Sequence, residues 1–386
     1  MIVFLQQRPV EILPPVISLL RILKDVGEKV LFIGLMKTDA CEKILECIDI
    51  EYEFYPYKIV TFHERPTYRI WQKMTQWYRP YLFRRWVWNR INGLMNQNQN
   101  IILWSSEMVS AAVLGDKALD FGKRHIQSLY ELGDESGRDY FGFNMNQMFQ
   151  TATLIECEYN RAHIIKAEKG IPRLPFVLPN KPYDHPRKKN IPISDAKAAK
   201  IVDGWANKRV FLYQGALQTD RGELVNLLEY LCASSPNSVV AVLGKKSAII
   251  DSLSYKYKNF SFIPFVQPPH HLEITSRADV GIAYYQGGAI WGLSPLNPVY
   301  CAPNKIYEYA GFGIPIICND IPGLRYSIGQ SHAGICLSEV SRASIKNALD
   351  TIFNNYDYYS LNAKSFFEAA DIVGEVKKIL SYARSE

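Results

Sequence analysis

The stretch Val210-Phe-Leu-Tyr-Gln-Gly-Ala-Leu-Gln-Thr-Asp-Arg-Gly222 decides the architecture. It runs from a short apolar strand, over a glycine turn at Gly215, into a helix that continues as Glu223–Leu231. A strand feeding a helix through a tight turn is the repeating unit of a parallel sheet. The rhythm continues downstream. Apolar runs at Arg209–Tyr213, Ser238–Leu243, Phe260–Ile263, Val280–Tyr284, Ile314–Cys318 and Gly334–Leu337 read as six strands. Upstream, Ile2–Leu5, Lys29–Ile33, Ile101–Trp104 and Ile126–Tyr130 read as strands of a first half. Pro14 and Pro15 open a helix there that Gly27 stops, and a small-residue helix is expected around Val109–Leu119.

The two halves meet in a stretch of different composition. Ile171–Ser194 holds six prolines and no long apolar run, which reads as a connector. The expected fold class is α/β, with two Rossmann-like doubly wound domains and a cleft between them. The expected domains are residues 1–182, a linker over 183–207, and residues 208–362. The tail 363–386 carries Phe366, Ala370, Val373, Val376 and Leu380 on one helical face. That face is expected to cross back onto the first domain. In open sheets of this kind, ligands sit beyond the carboxyl ends of the strands.

Composition excludes several classes. The chain has 386 residues, 48% hydrophobic and 21% charged, enough for two or three domains at ~150 residues each. Collagen, bulk disorder and disulfide-stapled miniatures do not fit. No apolar run reaches the ~18–20 residues that span a bilayer. The opening Met1–Val10 is too short and wrongly flanked for a secretory signal. The seven cysteines form no Cys-x-x-Cys pair, so reduced thiols in a cytoplasmic chain are expected, with no metal site.

The net charge of +6 has an address. Arg69–Arg90 holds six basic residues and no acid, together with seven aromatics that include Trp71, Trp77, Trp86 and Trp88. Such a segment, with Arg84 and Arg85 at its centre, suits an anionic membrane surface beside an acceptor entrance. The alternative is that the rings pack inside the first domain while the arginines cover it. With no recognised nucleic-acid module, no nucleic-acid partner is expected.

Two constellations can carry chemistry in the second half. Gly215 permits close backbone approach, and Arg221 stands at a helix opening where an anion is favoured; the alternative is a tight turn with a solvated arginine. In Pro303-Asn-Lys-Ile-Tyr-Glu-Tyr-Ala-Gly-Phe-Gly-Ile-Pro315, Lys305 and Glu308 are three apart and share a helix face. A cation there can meet phosphate, and a carboxylate one turn on can accept from two ribose hydroxyls; the alternative is a surface ion pair. In the first half, Glu107 and Glu131 follow strands. Either can serve as a general base or as a partner for a sugar, or be a plain loop carboxylate. His125 stands at the wrong end of its strand for catalysis, and His270 and His271 read as loop residues.

Together these segments resemble the nucleotide-sugar half of family four of the GT-B glycosyltransferases. Gly215-Ala-Leu…Arg221-Gly222 and Pro303-Asn-Lys-Ile-Tyr-Glu308-Tyr…Gly313-Ile-Pro315 are similar to its two donor-site elements, and Ser276–Ala283 to the strand between them. Gln127–Asp134, and Arg161-Ala with Leu178–Pro182, resemble its bacterial polysaccharide branch. The resemblance implies that Arg221, Lys305 and the backbone at Asn304 hold a donor diphosphate and that Glu308 holds its ribose. Two positions depart from the pattern. Ala216 replaces a frequent arginine, and the acid that usually contacts the donor sugar is missing from Leu293–Tyr300, where Asn297 or Tyr300 stands in. The implied activity is transfer of a sugar from a nucleotide-diphosphate sugar, as co-substrate without further cofactor, to a hydroxyl of a lipid-linked glycan. The first domain would bind the acceptor. The reaction would be retaining and metal-free, at the cytoplasmic face of the membrane, in capsule, O-antigen or exopolysaccharide assembly. A nucleotide-sugar epimerase, or a non-catalytic glycan- or nucleotide-binding protein of the same fold, is the rival expectation.

Overall fold

The computed structural model describes residues 1–56, 68–97, 100–133, 143–217, 222–286 and 293–385, with backbone alone over 68–80. The chain forms two compact units, Met1–Pro179 with Ile372–Glu386, and Asn180–Asp371.

The first unit is built on β1 (Ile2–Gln6), β2 (Val30–Gly34), β3 (Glu51–Phe54), β4 (Ile102–Ser106), β5 (His125–Leu129), β6 (Thr153–Glu156) and β7 (Phe176–Val177). They lie in the order β3-β2-β1-β4-β5-β6-β7, every pair parallel. The second unit holds β8 (Val210–Gln214), β9 (Val239–Gly244), β10 (Phe260–Pro264), β11 (Val280–Ala283), β12 (Ile316–Asn319) and β13 (Gly334–Leu337). Their order is β10-β9-β8-β11-β12-β13, again all parallel. In each sheet the order reverses once, between β1 and β4 and between β8 and β11, which opens a crevice at the strands' carboxyl ends. Alternation divides each strand between two cores: Leu212, Ile316 and Cys318 face one layer of helices, and Phe211, Tyr213 and Ile317 the other. This is the doubly wound α/β class expected from sequence.

Several expectations change in detail. Strands β3, β6 and β7 were not anticipated. β3 is an edge strand of half-exposed residues, β6 ends in a buried glutamate, and β7 is two residues inside the proline-rich stretch. The segment 183–207 is not a free connector. It contains the helix Ala196–Asp203, capped by Asp195, and Ala198, Val202 and Trp205 are buried in the second unit's core. Proline fixes an extended path there without preventing burial. The tail is not one helix either. Tyr356–Ala369 and Ile372–Arg384 are separate, because the carbonyl of Ala370 turns out of the helix to accept from Lys181 Nζ at 2.8 Å. Phe367 stays in the core of the second unit. Ile372–Arg384 belongs to the first unit, where it packs against β6, β7 and the helix Pro14–Asp25.

The basic aromatic segment is corrected most. It lies in the helix Tyr68–Asn96. Phe83, Val87, Trp88, Ile91 and Leu94 are buried with Val3, Leu5, Leu31 and Leu103, and Trp88 Nε1 donates to the Leu114 carbonyl at 2.7 Å. Trp86 is half-buried, its ring against Tyr55 and Phe83. Arg84 donates to the carbonyls of Val113 at 2.9 Å and Ala112 at 2.8 Å. It thereby satisfies the last turn of the helix Glu107–Leu114, whose terminal carbonyls have no partner within the helix. Thus Arg84, Trp86 and Trp88 serve the fold, and of the described site candidates here only Arg85 is exposed. The side chains of Trp71 and Trp77 lie outside the described residues.

One glycine sets the approach of a helix to the second sheet. A Cβ on Gly281 in β11 would sit 2.3 Å from the Tyr309 ring. Tyr309 is fully buried, and its hydroxyl donates to the Leu212 carbonyl of β8 at 2.9 Å. Gly281→Ala must displace that ring and should destabilise the protein by about 1–3 kcal/mol. Urea unfolding at neutral pH measures this; an unchanged midpoint would mean the ring does not fix the helix.

Candidate functional site

The second unit gathers polar side chains at the carboxyl ends of β8, β11 and β12. Gly215 follows β8 with φ at +144°. Its amide donates to the Leu243 carbonyl at 2.9 Å, and a Cβ on Gly244 would meet the Gly215 carbonyl at 2.2 Å. The two strand ends approach this closely because both residues lack side chains. A Cβ on Gly215 itself would lie 3.2 Å from Lys305 Nζ, so the sequence elements around residues 215 and 305 do converge. Asn304 and Lys305 open the short helix Asn304–Ala310. The Lys305 ammonium sits 4.4 Å from the Tyr213 ring centroid and 5.1 Å from that of Tyr285, a favourable pair of cation–π contacts. Tyr285 is held by its backbone: its amide donates to Asn319 Oδ1 at 3.0 Å, and Asn319 Nδ2 donates to its carbonyl at 2.6 Å.

Glu308 is buried, and its partner is not Lys305. Oε1 pairs with His271 Nε2 at 3.0 Å, and Oε2 accepts from Gln214 Nε2. Thr275 Oγ1 donates to Gln214 Oε1 at 2.8 Å, which fixes the amide so that its nitrogen faces Glu308. Burial pushes the Glu308 carboxyl up, but the charge and hydrogen bond of His271, with Lys305 behind, hold it below its ordinary value. On the far side, His185 Nδ1 accepts from the Arg187 amide at 3.1 Å, so Nε2 carries the proton and donates to the Glu308 carbonyl at 2.9 Å. Gly311 makes room for that ring, since a Cβ there would lie 2.6 Å from it.

Asn297 is buried and Tyr300 half-buried in the turns at 295–300 that precede the helix. Arg221 lies outside the described residues. Sequence reasoning missed His271, Gln214, Thr275, Tyr285 and Asn319. The reading of His271 as a loop residue is corrected: it is the first residue of the helix His271–Thr275 and a hydrogen-bond partner of Glu308. A strand ending in glutamine just before a glycine turn was the one available signal.

In the first unit, Glu107 follows β4 with φ at +65°, a strained position for a residue with a side chain. Arg8 Nε donates to its Oε2 at 2.9 Å and Gln6 Nε2 at 3.4 Å, across the β1/β4 reversal. Glu131 follows β5, 54% exposed, with Arg161 Nη2 at 3.9 Å. Arg161 is buried, donates to the Tyr130 carbonyl at 3.0 Å and faces Glu156 at 3.5 Å. Burial pushes the Glu156 carboxyl up to about 7, with Arg161 opposing. Both expected carboxylates therefore stand at strand carboxyl ends, each beside an arginine. His125 is buried on Ser105 Oγ at 2.7 Å, at the amino end of β5, as expected.

No family model and no curated protein matches this sequence. Solved structures do. The Anabaena Alr3699/HepE protein in complex with UDP and glucose is 15% identical over 98% of both chains, with a TM-score of 0.65. An Escherichia coli structure described as trehalose-6-phosphate bound with UDP-2-fluoro glucose is 11% identical over 100% of this chain and 99% of that one, at 0.66. A putative UDP-N-acetylglucosamine 2-epimerase from Listeria monocytogenes is 11% identical over 100% and 97%, at 0.60. The chain thus has the GT-B fold of two Rossmann-like units.

His185 makes the pH response of this region testable. Burial lowers its pKa to about 4, below the ~6.5 of an unfolded histidine. The unfolded chain therefore takes the proton first. The neutral ring's contribution is complete above pH ~6.5 and is lost as pH falls through about 4. The stability difference between the protein and His185→Gln should shrink by about 2–3 kcal/mol between roughly pH 7 and pH 4. Denaturant titrations of both proteins at the two pH values measure it; a constant difference would place the ring's proton elsewhere.

Proposed function

We propose that this protein is a glycosyltransferase that moves a sugar from a nucleotide-diphosphate sugar to a hydroxyl of a glycan acceptor. One observation carries the reading: a lysine ammonium flanked by two aromatic rings stands over a bare glycine turn at the strand-order reversal, one helical turn from a buried carboxylate. A diphosphate fits the first feature and a ribose diol the second. Lys305, joined by Arg221, would stabilise charge on the leaving diphosphate without a divalent ion. The absence of any Asp-x-Asp pair from the sequence agrees with that. Asn304 would add its amide, and Asn297 or Tyr300 would meet the donor sugar.

On the first unit, Glu107 is engaged by Arg8 and Gln6, while Glu131 is the more exposed. We assign acceptor positioning to Glu107 and removal of the hydroxyl proton to Glu131. The resemblance of Gln127–Asp134 and of the Arg161 segment to the polysaccharide branch supports a retaining enzyme acting on a lipid-linked glycan in cell-surface polysaccharide assembly. No described helix is long and apolar enough to cross a membrane. Docking on an anionic membrane surface at the cytoplasmic face rests on exposed Tyr81, Leu82 and Arg85. The fold likeness to a putative epimerase supports a second reading, in which the same donor site serves epimerisation.

A thermal-shift screen of UDP-, GDP-, CMP- and dTDP-sugars tests the donor reading. At least one should raise the midpoint, and Lys305→Ala and Glu308→Ala should each weaken it by about 1.5–3 kcal/mol, roughly ten- to hundredfold in affinity. Unchanged binding in both variants would sink the assignment. Release of free sugar epimer without acceptor would favour the second reading. Transfer should survive EDTA; loss restored by magnesium or manganese would refute the metal-free mechanism. Sedimentation with anionic vesicles should fall for Arg85→Glu, and equal recovery with neutral vesicles would remove the membrane from the account.

A further inference from the structure

The surroundings of Glu308 say more than that it is buried. Its two carboxylate oxygens are held by different elements: Oε1 by His271 on the helix His271–Thr275, and Oε2 by Gln214 at the end of β8. Its backbone carbonyl is held by His185. Thr275 lies between the first two, its one hydroxyl proton shared between Gln214 Oε1 at 2.8 Å and the His271 carbonyl at 3.0 Å. A carboxylate offers about four acceptor sites, two on each oxygen. One on each oxygen is used, which leaves one on each for a further donor. Neither oxygen can swing away, because turning the carboxylate would break both bonds at once.

We propose that His271 is a positioning residue which, with Gln214 and Thr275, fixes Glu308 as a reader of the complete ribose diol, so that the site takes ribonucleoside diphosphates and rejects 2′-deoxyribonucleoside diphosphates. This rests on the nucleotide-sugar reading and adds the class of nucleotide to it. A buried acceptor aimed at a hydroxyl is left unpaired by an analogue that lacks it, and such sites discriminate far more strongly than apolar pockets do. A carboxylate free to rotate would find another donor or water and would discriminate little. The selectivity therefore belongs to the frame around Glu308 as much as to Glu308.

The test is calorimetric titration of the whole chain with UDP, GDP and ADP and with their 2′-deoxy counterparts. The ribonucleotide that binds should do so about tenfold or more tightly than its 2′-deoxy form. In His271→Ala the ribonucleotide should weaken about tenfold while the 2′-deoxy form changes little, so that the ratio falls toward one. His271→Gln, whose amide nitrogen reaches the position of Nε2, should restore part of the ratio. Thr275→Val, which frees the Gln214 amide to turn, should lower it. Thermal unfolding confirms that each variant is folded, and the ratio itself is insensitive to a uniform loss of binding. Equal affinity for both forms in the native protein, or a ratio that survives His271→Ala and Thr275→Val, overturns the assignment to His271 and leaves the donor reading standing. Failure of the native protein to bind any nucleoside diphosphate overturns the donor reading and this inference with it.

Discussion

A charged carboxylate cannot be buried alone, and the second unit is arranged around that constraint. Removing Glu308 from water without partners would cost several kcal/mol. His271 and Gln214, with Lys305 nearby, offset that cost, His185 holds the Glu308 backbone carbonyl, and the three partners from outside the helix constrain different pieces of backbone. His271 fixes the helix after β10, Gln214 the end of β8, and His185 the proline-rich entry to the unit. Gly311 and Gly281 exist on the same account, because the helix carrying Glu308 must approach both the His185 ring and the sheet more closely than a side chain allows. Packing against Tyr309 then sets the height of Lys305 over Gly215. The cation over the glycine turn and the buried anion beside it are consequences of one docked helix.

The first unit solves a similar problem differently. Its carboxylates at the strand ends are matched with arginines, Arg8 from the loop after β1 and Arg161 from the helix Tyr159–Lys169. Arginine keeps its charge when buried, so Arg161 can sit inside the unit and still present its guanidinium to Glu131 and Glu156. Glu156 has no such latitude and holds its proton up to about pH 7. The two units thus share a sheet pattern and place opposite emphases at its edge: acids steadied by cations in the first, a cation and an anion set side by side in the second.

The architecture was legible in the sequence because parallel strands buried on both faces leave continuous apolar runs. Ile2–Leu5, Ser238–Leu243 and Gly334–Leu337 are such runs, and each lies within a residue or so of an observed strand. The strands that escaped notice break that rule: Glu51–Phe54 is an edge, Thr153–Glu156 carries an acid, and Phe176–Val177 is too short to have a period. The pairing of Lys305 with Glu308 was legible through spacing along the chain, since both lie on one short helix. Their partners were not. His271, Gln214 and Asn319 stand on three elements far apart in the chain, a helix start and the ends of β8 and β12, so no local pattern marks them. The Arg69–Arg90 segment misled in part, for the opposite reason. Composition cannot tell an aromatic that faces a membrane from one that faces a core, and the contacts of Trp88 and Arg84 tie those two side chains to the fold.

The course of the chain between the units bears on how the molecule is made. The first unit begins at Met1 but is completed only by Ile372–Arg384, which covers β6, β7 and the helix Pro14–Asp25. On a ribosome, the entire second unit is synthesised between these two pieces. At about 5–20 residues per second that is a wait of roughly 10–40 s. During it the first sheet lacks the helix that completes it, while the second unit has every element it needs as soon as Asp371 is made. The unit translated first is therefore the last to finish folding. A stalled or clipped nascent chain would release a sound second unit joined to an unfinished first one, which is the species a cell's chaperones would have to hold.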